Sequence, residues 1–543
     1  MFRLLALAAL AALTASPAIA QTCTTSWATP VDGSWTEASN WTNGVPGSGD
    51  TACITQPGVY TVEIAGTTTA IAGFVLGGSS GLQTLVSGIG FVSLTITDEA
   101  RIAANGRMEI RNGSISNVDG LYVDGTLLVE GTLVSVRPSR FFSTGGLLDI
   151  APGGTLLIDA NGNTTTIGSS PATFRIRGLM EGACGTSTCN VDAQIDVRGG
   201  TIRASSGTLD IEGNGTIDDL ALEVAEGASL NVLSGGGDGP HYILEGTISG
   251  EPEGNLFWTN LVLAAGPAGV TLDVGGTGFN TYAGSGRTVY FRSTGGTFTN
   301  AGLLVPHGNG LWLDGATLRN EGRFQTPANV RMEAGALFDN VASGRVELVN
   351  GGTFSGGLAG GRLVSTGPIE AVLDGATSGT SRVTVPVELD DVTVSVEEGR
   401  VLQFGQGSLR DVTFDIAGEW FASTSNAQGL DGVMEVSGTL SGTSSGSLRF
   451  TSGSTMSVGS RSVTLDVGGN GLVFTSGSGQ RVDVTGSGTL TNVGRASIDG
   501  NGPYLNGVTF VNENDLRITA NVNLVDGAVL QNASGATVDF VNG

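Results

Sequence analysis

The sequence predicts an all-β protein that winds into a parallel β-helix, a β-solenoid with about 20 residues per turn. Glycine supplies 89 of its 543 residues. From about residue 70, short runs of Val, Ile, Leu, Phe and Thr are broken every few residues by Gly, Asn, Asp and Ser. Helical periodicity is absent, and this alternation is typical of short strands joined by turns.

A second observation gives the length of the repeat. A large apolar residue, any residue and then Asn recur at steps of twenty in two separate triplets. The asparagines of these triplets are Asn300, Asn320, Asn340, Asn492, Asn512 and Asn532. A fixed period of this length, combined with short strands, indicates that one repeat forms one turn of a solenoid.

The repeat assigns a place to each of its positions. We expect the apolar residue to stack on its equivalent inside the cylinder, and the Asn to lie at a corner in the left-handed conformation. Successive Asn side chains should then hydrogen-bond in a ladder. Gly302, Gly322 and Gly494, two residues later, should supply the positive φ of a turn. Roughly twenty turns would give a rod on the order of 100 Å long.

The first twenty residues are predicted to be an export signal. Arg3 is followed by the apolar run Leu4–Leu13 and by small residues up to Ala20, after which we expect cleavage. Ten apolar residues are too few to span a bilayer. With no second long apolar run, the sequence predicts a secreted or cell-surface location without direct membrane insertion.

The remaining chain divides into two predicted segments. An open solenoid end leaves strand edges uncovered, so we expect residues 21–70 to form an N-terminal cap and residues 71–543 to form the solenoid. Because the sequence stops at Gly543 inside a repeat motif, we also expect its C-terminal end to be truncated, either because the sequence is a fragment or because further domains have been removed.

Export makes the four cysteines candidates for disulfides. Cys184 and Cys189 are five residues apart and can close a small loop, which leaves Cys23 with Cys53. Three pairings are formally possible. A metal site is the alternative, disfavoured because no His lies near these thiols.

The charge balance excludes several functions. The chain has 50 Asp and Glu against 25 Lys and Arg, all of them Arg, for a net charge of −25. Without lysine there is no Schiff-base chemistry and no lysine-based phosphate loop. The acidity argues against nucleic acid as a partner. With only two histidines, His241 and His307, a zinc site or a Ser-His-Asp triad is not expected.

The start of the mature chain carries a motif of Trp, Pro and Asp. Its residues are Trp35, Asn40, Trp41, Gly44, Val45, Pro46, Gly49 and Asp50, followed by Val59, Tyr60, Thr61 and Val62. This stretch resembles the opening of exported bacterial β-strand-repeat proteins, including autotransporter passengers, and the start of the G8 domain. The resemblance implies a surface-exposed or secreted role, often adhesive or structural. For G8 it implies a link to extracellular polysaccharide.

Trp35 and Trp41 allow two interpretations. Both indoles can plug the end of the solenoid while Asp50 caps a turn, which we favour because an open first turn needs apolar cover. Alternatively, they form an aromatic platform for a sugar ring.

Other chemical patterns are weak. Two GxSxG matches, at Ser79 and Ser444, are expected by chance in so glycine-rich a chain. The pairs Asp218-Asp219 and Asp390-Asp391 are not dyads by themselves, because neighbours on a strand face opposite sides. We expect them to be turn or strand-end residues, and both histidines to be turn residues.

No cofactor is predicted. A calcium-binding turn at Gly235–Gly239 is a weak possibility because it is not repeated.

Two functions remain. The sequence favours a secreted or cell-surface β-solenoid that is structural or adhesin-like and is not an enzyme, with an extracellular polysaccharide or another cell-surface ligand as partner. The alternative is a β-helix that binds or degrades polysaccharide as a lyase or glycosidase, which requires carboxylates and arginines from neighbouring turns to converge in one cleft.

Overall fold

The computed structural model describes residues 21–66, 68–88, 93–111, 120–136, 140–142, 145–159, 165–167, 172–234, 241–284, 287–356, 360–374, 379–423, 432–477 and 480–541. The predicted signal peptide and the Gly235–Gly239 turn lie outside these residues. Strands make up 66% of the chain. The described residues contain one short 3-10 helix, Ala38–Asn40, and no α-helix. None of their helices has the length and apolar character needed to cross a membrane.

The strands are short and follow one another closely. The first group is β1 (Thr25–Ser26), β2 (Gly33–Ser34), β3 (Thr51–Ile54), β4 (Tyr60–Ile64), β5 (Thr68–Ile71), β6 (Gly73–Leu76), β7 (Gln83–Ser87), β8 (Ser93–Ile96), β9 (Glu99–Ile102), β10 (Gly106–Arg111), β11 (Gly120–Val123), β12 (Thr126–Val129), β13 (Thr132–Val136), β14 (Arg140–Phe142), β15 (Leu147–Ile150), β16 (Thr155–Asp159), β17 (Thr165–Ile167), β18 (Thr173–Ile176) and β19 (Leu179–Val224).

The second group is β20 (Ser229–Ser234), β21 (Tyr242–Gly250), β22 (Asn255–Thr259), β23 (Val262–Val274), β24 (Phe279–Ala283), β25 (Val289–Ser293), β26 (Phe298–Asn300), β27 (Leu303–Gly308), β28 (Leu311–Asp314), β29 (Thr317–Asn320), β30 (Arg323–Thr326), β31 (Asn329–Glu333), β32 (Leu337–Asn340), β33 (Arg345–Val349), β34 (Thr353–Gly356), β35 (Arg362–Ser365), β36 (Ile369–Val372), β37 (Thr380–Val383) and β38 (Val387–Asp390).

The third group is β39 (Thr393–Val396), β40 (Val401–Phe404), β41 (Gly407–Ile416), β42 (Glu419–Ala422), β43 (Gly432–Ser444), β44 (Ser447–Phe450), β45 (Ser454–Gly459), β46 (Val463–Gly469), β47 (Leu472–Ser476), β48 (Val482–Gly486), β49 (Thr489–Asn492), β50 (Arg495–Gly500), β51 (Pro503–Asn506), β52 (Thr509–Asn512), β53 (Asp515–Ile518), β54 (Asn523–Val525), β55 (Val529–Asn532) and β56 (Thr537–Phe540).

These strands form a parallel β-solenoid, as the sequence predicts. Each strand pairs in parallel with the strand one turn before and one turn after it, as β24 does with β22 and β27. The chain makes about 19 turns of about 24 residues. The step is 20 residues between Asn300 and Asn320 but 28 between Asp219 and Thr247. The expected period of twenty is therefore a local minimum, because corners elsewhere are longer.

From residue 255 onward the turns have three strands each, which build three rows along the rod. The first row runs through β22, β24, β27, β30, β33, β36 and β39, and later through β46, β49, β52 and β55. The second runs through β25, β28, β31, β34, β37, β40 and β42 to β56. The third runs through β26, β29, β32, β35 and β38, and ends in β48, β51 and β54.

The core is a continuous apolar column inside these rows. Alternate strand residues point inward, so Phe298 and Phe338 of the first triplet are fully buried and stack through Leu318 between them. Trp258 and Phe279 stack in the same way, with ring centroids 4.8 Å apart. Full burial of each such side chain stabilises the fold by about 1.5–3 kcal/mol.

The parallel ladder already begins inside the segment expected to be a cap. Strands β3 and β4 pair with β6 and β7, and on their other side with β1 and β2. The boundary expected at residue 70 therefore marks no change in strand pairing.

Candidate functional site

Both predicted disulfides are present. Cys23 bonds to Cys53 and Cys184 to Cys189, with Cα atoms 5.7 and 5.8 Å apart. The first bond ties the segment before β1 to β3, and the second closes a corner within β19. No cysteine in the described chain is free. Such bonds act mainly by restricting the unfolded chain.

The tryptophans of the N-terminal motif are interior residues. Trp35 and Trp41 are 0% and 4% exposed, and their ring centroids lie 4.8 Å apart. Trp27 adds a third ring, 5.1 Å from Trp41. The indole N–H of Trp41 donates to the Trp35 carbonyl at 2.8 Å. A sugar platform needs an exposed ring face, so this structure does not offer one here, and the cluster covers the first turn instead.

Asp50 closes the turn beside this cluster. Its carboxylate accepts hydrogen bonds from the Gly47 N–H and the Thr24 hydroxyl, each at 2.8 Å. These bonds, the Gly47 one foremost, favour the charged form and lower the pKa of Asp50. Its role is that of a turn cap.

The six predicted asparagines form two ladders. Asn300 donates its amide to Asn320 and Asn320 to Asn340, each at 2.7 Å, and Asn340 donates to the Ser365 hydroxyl at 2.8 Å. In the second ladder Asn492 donates to Asn512 at 2.8 Å, and Asn512 to Asn532 at 2.7 Å. All are buried except Asn532, which lies on the last described turn.

The conformation expected for the ladder residues was wrong. Each Asn is the last residue of a strand, and none has a positive φ. The following glycines do not have one either. A Cβ on Gly302 would lie 2.3 Å from the Val274 carbonyl oxygen, and one on Gly322 would lie 2.3 Å from that of Gly302. Glycine is needed there because consecutive turns approach closely, so no side chain fits.

The adjacent carboxylates mark corners, as expected. Asp219, Asp391 and Asp411 have φ values of 53°, 54° and 51°. Asp219 accepts the Thr247 N–H from the next turn at 2.8 Å, and Asp411 accepts the Thr439 N–H in the same way, also at 2.8 Å. Aspartate tolerates the left-handed conformation and supplies the acceptor, which explains its presence at these bends.

Asp218 differs from Asp219 because other carboxylates repel its charge. It is paired in register with Glu245 of the following turn. Burial, followed by repulsion from Asp219 and Glu245, raises the pKa of Asp218, and Arg198 opposes the shift. The carboxylates of Asp218, Asp219 and Glu245 thus lie near one another, and that of Asp219 already accepts a backbone N–H.

Elsewhere on the surface, carboxylates are paired with arginines across turns. Glu347, only 3% exposed, binds Arg323 at 2.7 Å and Arg345 at 3.0 Å. Arg345 also contacts Glu370 of the turn beyond. Similar pairs join Arg175 to Asp196 and Arg292 to Asp314. A network of this kind is worth more than isolated surface pairs.

One groove combines an arginine with several carboxylates. It has a volume of about 450 Å³ and is lined by Arg203, Glu223, Glu251 and Glu253 among others. Arg203 is already committed to Glu223 at 2.5 Å and to Glu181 at 3.4 Å. The groove therefore contains the residue types that the polysaccharide-degrading alternative requires.

The two histidines are not both turn residues. His241 lies in a bend and accepts the Val262 N–H through Nδ1 at 2.8 Å. His307 instead belongs to β27, with Nε2 2.9 Å from the Asn280 side-chain oxygen. Burial lowers the pKa of His307. At neutral pH it is therefore an uncharged ring.

Five outward-facing rings lie in two groups, one on strands of the first row and one near the start of strands of the second row. Phe257 contacts Tyr282 and His307 in the first row, with centroids 6.3 Å apart in both pairs. In the second row Tyr290 meets Trp312 edge to face at 5.2 Å. We call these five rings the aromatic corner. The sequence does not predict this corner, because the spacing of isolated aromatics does not reveal which of them lie on neighbouring turns.

No protein-family model and no curated protein matches the sequence. Within the described ranges there is also no group of three or more His, Cys, Asp or Glu side chains suited to hold a metal ion.

Proposed function

We propose that this chain is a secreted or cell-surface β-solenoid that acts as a structural, adhesin-like rod and does not catalyse a reaction. An extracellular polysaccharide or another cell-surface ligand is the proposed partner. The observation that carries this proposal is the set of bonds that the carboxylates make. Several carboxylates, among them Glu347, Glu370 and Asp219, are bound to arginines of neighbouring turns or to a corner N–H group and are therefore not free to act as an acid or a base.

The shape of the molecule supports the same conclusion. About 19 turns at about 4.8 Å give a stiff rod roughly 90 Å long. An apolar column fills its described interior, and the buried Asn ladders and two disulfides hold it in register. Disulfides are typical of proteins outside the reducing cytosol.

The groove at Arg203 favours the second candidate, a polysaccharide-degrading β-helix. Glycoside cleavage needs one carboxyl group as acid and a second as base or nucleophile. Glu223, Glu251 and Glu253 supply the residue type in that groove.

The purified chain, incubated with neutral and acidic polysaccharides with and without calcium, tests the choice. We expect binding to a polysaccharide without new reducing ends or unsaturated products. Cleavage that disappears in a Glu223→Gln, Glu251→Gln or Glu253→Gln variant, while the melting temperature is kept, would establish the enzyme instead. Glu388→Gln, in an exposed pair with Arg362, is the matched control.

A further inference from the structure

The aromatic corner stands out because the fold otherwise places its largest rings inside. Trp312 is partly exposed, whereas the other five tryptophans of the chain are buried. Those five are Trp27, Trp35, Trp41, Trp258 and Trp420. Tyr282 is 43% exposed, the highest value for an aromatic ring between β1 and β55 among residues whose burial the structure describes. Leaving such rings in water forgoes the stabilisation that burial gives them.

Polar and cationic groups surround these rings and hold them. The Arg331 guanidinium lies 4.1 Å from the centroid of Trp312, and that of Arg292 lies 5.1 Å from Tyr290. Both arginines are in turn paired, with Glu333 and Asp314. Arg287, at the bend between Tyr282 and Tyr290, is exposed and makes no ion pair with the described residues. An arginine thus packs on two of the five rings, and the exposed Arg287 lies in the bend between Tyr282 and Tyr290.

The arrangement follows the rod. Tyr282 and His307 are register neighbours one turn apart, and so are Tyr290 and Trp312. The ring centroids of Tyr290 and Trp312 are 5.2 Å apart, which is close to one strand spacing of about 4.8 Å. A ligand that lies along the rod and repeats a flat, partly apolar unit with hydroxyl groups at its rim matches this surface.

We infer that the aromatic corner binds an extended polysaccharide, with sugar rings packed against Tyr282, Tyr290 and Trp312. Arg287 and the side chains around it donate hydrogen bonds to hydroxyl or carboxylate oxygens of the sugar. The inference rests on the proposed adhesin-like function and names its ligand class and surface. A protein partner fits less well, because the rings are interleaved with charged planar groups and do not form one apolar patch.

Trp312 supplies a direct readout. Because it is the one tryptophan that is not buried, acrylamide should quench mainly its fluorescence, and Trp312→Phe should remove that quenchable fraction. We expect soluble fragments of a bound polysaccharide to protect Trp312 from acrylamide. The probes are a β-glucan, chitin fragments and a polyuronate, which separate neutral from acidic ligands.

Single alanine substitutions then show which surface binds the polysaccharide. Tyr282→Ala, Tyr290→Ala and Trp312→Ala should each weaken binding about tenfold, the size expected for loss of one aromatic contact. Tyr504→Ala is the matched control, since Tyr504 is also outward-facing with Arg481 5.1 Å from its ring but lies far along the rod. It should bind like the wild type. Unchanged circular dichroism confirms that each variant is folded.

The inference is overturned if the wild type binds none of the probes, or if the three variants bind as well as Tyr504→Ala does. It is also overturned if the variants alter only self-association in sedimentation, which would make a second copy of the chain the partner. Failure of the proposed function looks different: the polysaccharide would be bound at the aromatic corner but also cleaved.

Discussion

The two Asn ladders share one local design but lie on different sides of the rod. Asn300, Asn320 and Asn340 end strands of the third row, whereas Asn492 and Asn512 end strands of the first. In both, each amide also donates to the carbonyl that opens a strand of the next turn, as Asn300 does to Arg323 and Asn492 to Asp515, at 3.0 and 3.1 Å. The same motif thus builds two different corners of the solenoid.

The two ladders also start in the same way. The side-chain oxygens of Asn300 and Asn492 are buried without a hydrogen-bond partner, because their register partners in the preceding turn are Leu272 and Leu465. The ladders differ at the other end: the first closes on buried Ser365 and the second on exposed Asn532. Polar contacts between turns therefore stabilise the rod most where turns cover them on both sides.

The largest effect is expected at the ladder centres. Asn320→Ala and Asn512→Ala each remove three hydrogen bonds between turns and leave one N–H of the buried Asn300 or Asn492 amide without an acceptor, so each should lower the free energy of unfolding by about 2 kcal/mol. Hydrogen exchange at the flanking strands and thermal melting measure this. Asn532→Ala is the control and should change stability little. A large loss from Asn532→Ala would contradict the role of burial.

The corners at Asp219 and Asp411 allow a second comparison of two equivalent places in the rod. Asp219→Ala and Asp411→Ala put Ala at positive φ and leave the Thr247 or Thr439 N–H without its acceptor, so each should destabilise the fold by about 1–2 kcal/mol. Asp219→Asn and Asp411→Asn keep an acceptor and tolerate the conformation, so they should be nearly neutral. Hydrogen exchange of the Thr247 and Thr439 amides measures the stability of each corner separately. Unequal losses at the two corners would show that the hydrogen bond is not what they share.

The smallest change in stability is expected for Asp218, whose carboxylate bonds to no described group of a neighbouring turn. Its pKa is raised in the fold, so ionisation disfavours the folded state at neutral pH, and this penalty vanishes as pH falls below the usual Asp range. Asp218→Asn should therefore stabilise the protein by a few tenths of a kcal/mol at pH 7, since exposed charges are screened, and by nothing near about pH 3. Melting at both pH values tests this. A stabilisation that persists at the lower pH would rule out the electrostatic cause.

Part of the candidate site could be read from the sequence. The asparagine spacing of twenty identified both ladders because stacked turns repeat their register, and the spacing of Cys184 and Cys189 identified a local disulfide. The aromatic corner could not be read in this way. Tyr282 and Tyr290 become neighbours of His307 and Trp312 only through the pairing of particular strands.

The sequence by itself determined the solenoid, its inward apolar stack and its paired cysteines, because these depend on short-period patterns and local chain closure. The tertiary structure decided the average turn of about 24 residues, the buried place of Trp35 and Trp41, and the side on which each ladder lies. It also explains why residue 302 is glycine: a side chain there would collide with the preceding turn, whereas the φ of Gly302 is not positive. These features depend on how much chain each corner takes up and on what the neighbouring turn places opposite, and no local pattern encodes either.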